Sequence, residues 1–336
     1  MAQAFELGIN YNFIALDQDV PPLRRFEMVR DSGVYDYINW LPRPELVDAC
    51  LAASARTGVP MTTGNYTHTY GDERSTWEDA FRIAARVGNR MMNVMLLTYA
   101  ADGHELTDAE IVESYLRCWE LGERHGVTPC FEVHVNCWSE KYLRIRPVAE
   151  AVRARGIPFN FTIDYSHVLF KIENPEELEI SGVRDAVAAG RVILDPFEPG
   201  NLCDEWLEMN MVVFAQYRPA VPNGPRNVWA LGPDGAPGRG IIYPFLKPQP
   251  GEWHSPWYAY KLEASKEFVR RVMRYHLTHP ASPLRYVITE LIVQPDYAMN
   301  AKWSVWEHSV ASARWLRAQW AQLEAMQAAG IPLAVL

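Results

Sequence analysis

Short runs of apolar, β-branched and aromatic residues return along the whole chain, and between them the apolar positions fall three and four residues apart. The runs have the character of buried strands and the wider spacing that of amphipathic helices. Residues 7–12, 35–40, 60–65 and 91–97 read as strands, and 22–32, 43–57, 76–87 and 108–125 as the helices that follow them. Local signals support the helix ends. Prolines lead into 22–32, Thr76 is an N-cap with Glu78 in the first turn, and Thr107 with Glu110 makes a capping-box pattern ahead of a helix that Gly126 closes. The second half repeats the order, with strands at 131–136, 161–164, 211–216 and 284–290 and helices at 140–155, 257–279 and 304–328. Pro147 fits the first of those helices poorly unless the helix starts near it. Residues 176–188 read as irregularly helical, and 192–194 as a short strand outside the main count.

Strands alternating with helices imply a parallel sheet. No glycine-rich nucleotide fingerprint follows the first strand, which favours a closed (β/α)8 TIM barrel over an open dinucleotide-binding sheet. A barrel of about 250 residues with insertions accounts for 1–336 as a single domain. The main insertion is 219–256, after the seventh strand, where proline and glycine crowd together. A segment of that length inside a compact domain reads as an ordered functional loop or lid, with a domain linker as the alternative.

Composition narrows the partners. The chain is 49% hydrophobic and 22% charged, ordinary for a globular protein with a sizeable core. A net charge of −9 argues against a nucleic-acid partner, because phosphate-backbone binding leans on a basic surface. The N-terminus from Met1 to Glu6 lacks a signal layout, and no run reaches the roughly 20 apolar residues of a membrane span. A cytoplasmic protein with no membrane partner is expected. Five cysteines, Cys50, Cys118, Cys130, Cys137 and Cys203, lack zinc-knuckle or disulfide spacing and read as buried small hydrophobes. Cys137 lies near enough to the fifth strand to be weighed as a nucleophile, although papain-type signatures are absent.

The chemistry gathers at strand ends. Glu132, Asp164 and Glu290 fall at the ends of the fifth, sixth and eighth strands, and Gln216 with Arg218 at the end of the seventh. In a parallel barrel such positions converge on one mouth, and carboxylates gathered there need a metal or trapped protons to coexist. Solvated strand termini are the bland reading of each residue alone; the clustering favours Glu132, Asp164, Gln216 and Glu290 as ligands of a divalent metal. Oxygen ligation suits Mg2+ or Mn2+, and an added imidazole moves the preference towards Mn2+, Co2+ or Zn2+. His134, two residues after Glu132 and so on the same face of an extended strand, is placed to act as a base. Glu132 and Glu290 are alternative bases. His167 is a candidate for binding a substrate hydroxyl, and Arg218 either holds a substrate oxygen or pairs with one of the acids. His254 in the lid, and Trp40 and Tyr66 at strand ends, are candidate substrate contacts, with core packing as the default for the aromatic rings.

These residues resemble the xylose-isomerase-like TIM barrel superfamily of sugar isomerases, tagatose-type 3-epimerases and endonuclease-IV-like proteins. Asp164-Tyr165-Ser166-His167 is similar to the family's Asp-x-x-His, Glu132 and Glu290 match its two flanking carboxylates, and Pro237-Gly238-Arg239-Gly240-Ile241 its Pro-Gly-x-Gly turn after strand seven. The resemblance implies a metal bound by Asp164 and the two glutamates, and a substrate held by His167. Two departures stand out. Gln216 occupies the place where the epimerases usually carry a metal-binding histidine, and no second glutamate follows Glu132 by six residues. His134 and the aromatic-rich lid suit the catalytic subunits of C-glycoside deglycosidases, which share the barrel and pair a divalent metal with a histidine base. The expected function is therefore a metal-dependent sugar isomerase or epimerase working by proton abstraction next to a carbonyl, with a lyase acting on a 3-keto glycoside as the alternative. An endonuclease-like phosphodiesterase or a non-catalytic sugar-binding barrel ranks below both. The expected partners are a small sugar or glycoside and further copies of the chain, with a second, smaller subunit in the deglycosidase case.

Overall fold

In the computed structural model, which describes residues 4–14, 20–72, 76–232 and 235–333, the β-rich runs close on themselves. The strands are β1 (Glu6–Asn10), β2 (Tyr37–Asn39), β3 (Met61–His68), β4 (Met91–Leu96), β5 (Thr128–Glu132), β6 (Phe161–Asp164), β7 (Val212–Tyr217), β8 (Asn227–Leu231), β9 (Pro237–Gly238) and β10 (Tyr286–Thr289). Eight of them form a closed parallel barrel in the order β1-β10-β7-β6-β5-β4-β3-β2, and β8 with β9 makes an antiparallel hairpin in the segment after β7. The sequence positions Met1 to Gln3, and Pro233 in that segment, lie outside the described residues. Among the described residues no helix is long and apolar enough to cross a membrane.

The barrel is filled by its own side chains. Residues towards the strand starts, including Tyr37, Met91, Phe214 and Tyr286, form a buried apolar plug with Ile288, which leaves the strand ends as the polar layer. Phe131 of β5 joins Phe81, Tyr115, Phe159 and Trp206, which lie outside the strands, in a continuous core with the helices. The Thr107–Glu110 capping box forms at the start of the helix Asp108–His125, and Gly126 ends that helix with φ at 71°. Pro147 sits in the first turn of the helix Ile145–Arg153, where its missing N–H costs no helical bond.

The structure corrects several expected boundaries. The first strand stops at Asn10, whose side chain accepts the Asn12 N–H at 3.2 Å and turns the chain into a 3-10 helix. The fifth strand ends at Glu132 instead of running to 136. Ser139 is the reason: its hydroxyl donates to the Glu132 carbonyl at 2.5 Å and accepts the His134 N–H at 3.3 Å, so the groups that would extend a ladder are capped. Residues 192–194 form no strand, because the Val192 N–H is taken by the Ala186 carbonyl at 3.3 Å. The irregular helix over 176–188 is two short ones, Pro175–Ile180 and Arg184–Ala188, parted by Gly182. The helix expected from 257 begins at Glu263, after a 3-10 turn over Ala259–Leu262.

Candidate functional site

Strand register brings the acids together. Asp164 pairs with Gln216 across β6 and β7, and Ile288 of β10 pairs with Gln216 on the other side. Glu290 continues β10 by one residue, its N–H donating to the Tyr217 carbonyl at 3.1 Å. One carboxylate oxygen each from Glu132, Asp164 and Glu290 lies within 4.8 Å of the others, and all three side chains are buried. Gln216 sits among them. Turned one way, its amide NH2 donates to Glu132 at 2.9 Å, to Asp164 at 3.1 Å and to Glu290, while its oxygen accepts from Asn93 at 3.1 Å. Turned the other way, its oxygen faces the same three carboxylates, a set of oxygens that repels itself unless a cation lies among them.

Arg218 completes the cluster. Its guanidinium reaches Asp164 Oδ2 at 2.8 Å and Glu290 Oε2 at 3.0 Å, and also donates to the Glu290 carbonyl at 2.8 Å and the Ser166 hydroxyl at 2.5 Å. The expected pairing of this residue with the acids is observed. One guanidinium against three carboxylates leaves two negative charges in a desolvated place. Burial, followed by the charges of Glu290 and Asp164, raises the Glu132 carboxyl well above its ordinary value. Glu290 is pushed up to about 7, chiefly by burial against the opposing pull of Arg218. Burial works on Asp164 too, but Arg218 and His167 outweigh it and hold that carboxyl below the usual range. The donor set therefore fits a divalent cation: oxygen-rich, buried and short of two positive charges.

Two imidazoles face this cluster. His167 is buried with Nε2 3.2 Å from Asp164 Oδ2, and its Nδ1 has no partner. The His134 ring lies 4.2 Å from that of His167, centroid to centroid. His134 Nδ1 is 2.6 Å from the Val135 carbonyl, so that nitrogen carries the proton and Nε2 the lone pair. Burial, and then the neighbouring His167, push its pKa down to about 3, which keeps the ring neutral. His134 Nε2 also lies 3.3 Å from the Tyr297 hydroxyl. A cavity of about 350 Å3 adjoins these groups and is lined by Glu132, His134, Glu290 and Tyr297 on its polar side and by Trp40 and Met95 among its apolar walls. A larger space of about 620 Å3, at the opposite end of the barrel around Glu6, Arg90 and Tyr286, holds none of the site acids.

The structure thus gathers Glu132, Asp164, Gln216, Glu290, His134, His167, Arg218 and Trp40 in one place. It does not bring Tyr66 or His254 there. Tyr66 packs on Trp77 and His68, at 5.4 and 5.9 Å, and His254 packs on Trp253 and Trp229, at 4.1 and 4.8 Å. Cys137 lines the cavity, but burial and then the charges of Glu132 and Glu140 raise its thiol well above the ordinary range, which keeps it from acting as a thiolate. The missed residues are Tyr297 and four asparagines. Asn10, Asn39, Asn65 and Asn93 stand in β1 to β4 as the acids stand in the other half of the barrel. Asn10 donates to Glu290 at 2.9 Å, Asn65 to Glu290 at 3.4 Å, and Asn93 to Glu132.

No family model matches the chain, and no curated protein does. Solved structures do. The apo form of a 3-keto-D-glucoside 4-epimerase from E. coli is 14% identical, with 94% of this chain and 100% of that one covered at a TM-score of 0.52. The structure of an L-ribulose 3-epimerase is 10% identical over 99% of this chain and 100% of its own, with a TM-score of 0.53. The IolI protein with a bound zinc atom is 12% identical over 94% and 98%, with a TM-score of 0.50. What the chain shares with these structures is the fold, a closed eight-stranded parallel (β/α)8 barrel.

Proposed function

We propose that this chain is a divalent-metal-dependent enzyme that moves a proton next to the carbonyl of a sugar, as an isomerase or epimerase. The observation that carries the reading is the convergence of Glu132, Asp164, Glu290 and Gln216 beside the neutral imidazole of His134, which lines the cavity. The sugar epimerases among the similar structures support it at the level of fold. Glu132, Asp164, Gln216 and Glu290 are the residues that hold the metal. Mn2+ is the cation that this oxygen set with imidazole nearby favours, and Mg2+, Co2+ and Zn2+ are the alternatives. The cation supplies electrostatic stabilisation for negative charge growing on the sugar oxygens as the proton leaves.

The remaining work falls to side chains of the chain itself. His134, neutral and lining the cavity, takes the proton from the carbon next to the carbonyl through Nε2, the substrate displacing the Tyr297 hydroxyl that otherwise donates to this nitrogen. His167 offers Nδ1, which has no protein partner, to a sugar hydroxyl. Arg218 holds Asp164 and Glu290 in place, and Trp40, stacked on Tyr11 at 4.6 Å, offers one wall of the cavity to the ring or its substituent.

A second reading has an observation of its own. Trp40, Met95, Leu97, Val135 and Ile292 give the cavity an apolar side large enough to matter, which suits a sugar carrying an aglycone and hence lyase chemistry on a 3-keto glycoside. Incubation with ketoses and with 3-keto glycosides in deuterated water separates the two. Deuterium entering a sugar without aglycone release is the expected result for the isomerase or epimerase, and release of the aglycone selects the lyase. Neither event with any sugar contradicts both.

A further inference from the structure

His134 and Tyr297 meet across the mouth from two loops that no strand holds. Because His134 Nδ1 gives its proton to the Val135 carbonyl, Nε2 can only accept, and the Tyr297 hydroxyl 3.3 Å away is the donor. Burial raises the Tyr297 phenol well above its ordinary value and keeps that proton in place. The phenol ring also covers Arg218, whose guanidinium carbon lies 4.7 Å from the ring centroid. Tyr297 therefore touches both the nitrogen read as the base and the cation that orders the acids.

What sets this contact lies in the turn at 237–241. The Gly240 and Ile241 N–H groups donate to the Asp296 carbonyl at 3.1 and 3.0 Å, and the Arg239 N–H donates to Asp296 Oδ1 at 3.1 Å. Gly238 presses on the same backbone so closely that a Cβ there would sit 1.9 Å from the Pro295 carbonyl oxygen. The residue next to Tyr297 is thus clamped by the turn. The Arg239 side chain runs the other way, to Glu140 Oε1 at 2.6 Å and to Glu177 at 2.9 Å. Glu140 in turn accepts the Asn136 N–H at 2.6 Å through its other oxygen, which holds the loop that carries His134. Lys171, fully buried, reaches Glu140 at 2.6 Å and Ser181 at 2.9 Å, so two cations and two carboxylates close the cluster.

We propose that Tyr297 and Arg239 are positioning residues for the base: Arg239 ties the Tyr297 loop to the His134 loop, and the Tyr297 hydroxyl, donating to Nε2, fixes the rotation of the His134 ring at the mouth until the substrate takes the place of that hydroxyl. The inference rests on the reading of His134 as the base, and it adds a reason why the long segment after β7 belongs to the site. That segment acts as a clamp on the loop after β10, so its effect on the reaction passes through the turn at 237–241.

The test uses the full chain with Mg2+ added, labelled with 15N histidine, the His134 signals being assigned by their loss in His134→Gln. Tyr297→Phe keeps the ring over Arg218 and removes only the hydroxyl. It is expected to leave melting temperature and metal content unchanged, to move the His134 Nε2 resonance, and to lower kcat for sugar-proton exchange about ten- to a hundredfold with KM within about threefold. Arg239→Ala is expected to lower kcat by a similar factor and to add nothing in the Tyr297→Phe background, because both act through one contact. Arg239→Lys, which keeps the charge against Glu140 and Glu177, serves if the alanine variant does not fold, with a smaller loss of kcat that is likewise absent in the Tyr297→Phe background. A Tyr297→Phe variant with unchanged resonance, or with unchanged kcat, overturns the proposal, as do additive losses in the double variant. A wild-type chain that exchanges no sugar proton overturns the sugar-enzyme reading and this role with it, while the resonance still decides whether the contact exists.

Discussion

Gln216 is the residue on which the site turns, because its amide can serve either occupant of the cluster. With NH2 inward it donates to the three carboxylates, and with oxygen inward it joins them around a cation. Gln216→Leu removes both options at similar volume. The variant is expected to bind Mn2+ at least about tenfold more weakly by calorimetric titration. In the presence of a chelator it is expected to lose about 1–3 kcal/mol in urea unfolding, since buried carboxylates lose a donor. Glu132, Asp164, Gln216 and Glu290 were legible in the sequence because each stands at the edge of an apolar run, where an ionisable or amide group is out of pattern. Asn10, Asn39, Asn65 and Asn93 stand in equivalent places and were passed over, because asparagine carries no charge and is common at turns. Tyr297 carried no local signal. It lies beyond the last strand, and the partner that fixes its neighbour Asp296, the Arg239 N–H, is 57 residues away in the chain.

At the scale of elements, the order of strands and helices could be read from periodicity, but the point where a strand stops could not. Val133 and Val135 continue the apolar alternation of β5, yet they enter two different buried clusters because the Ser139 hydroxyl ends the ladder at Glu132. His134 consequently reaches the mouth from a loop and not from the strand face that parity implied. The segment after β7 was legible as an insertion by its prolines and glycines, but its role as a clamp depends on contacts made only after folding. Gly238 shows how tight they are. The carbonyl oxygen of Pro295 and its carbon would lie 1.9 and 2.5 Å from an added Cβ, and backbone atoms cannot swing aside as a flexible side chain can. Gly238→Ala is expected to cost about 1–3 kcal/mol, seen as a lower melting temperature, and to weaken sugar-proton exchange through the displaced Tyr297 loop. A variant that melts and turns over like the parent contradicts the clamp.

For the whole molecule, the barrel divides its polar mouth into amides from β1 to β4 and acids with Gln216 and Arg218 from β5 to β10, above an apolar plug. Stability on the acid side also draws on histidines outside the mouth. Burial holds His68 and His308 down to about 4, against an ordinary 6.5, and His308 needs its neutral Nδ1 to accept the Leu246 N–H at 3.3 Å. Between those two values the unfolded chain binds protons that the folded chain refuses, so stability falls as pH drops from 6.5 towards 4 and these two groups contribute no slope above that window. The urea midpoint is expected to be lower at pH 4.5 than at pH 7, and His308→Gln is expected to shrink that difference; equal differences in both proteins count against this source. The proposed metal site is tested most directly by elemental analysis of the purified chain and of its Glu132→Gln and Glu290→Gln variants, with melting curves recorded alongside. The account predicts one divalent cation per chain in the parent and its loss in both variants while they remain folded; a parent that binds none when supplied with Mn2+, or variants that keep the full amount, would contradict it.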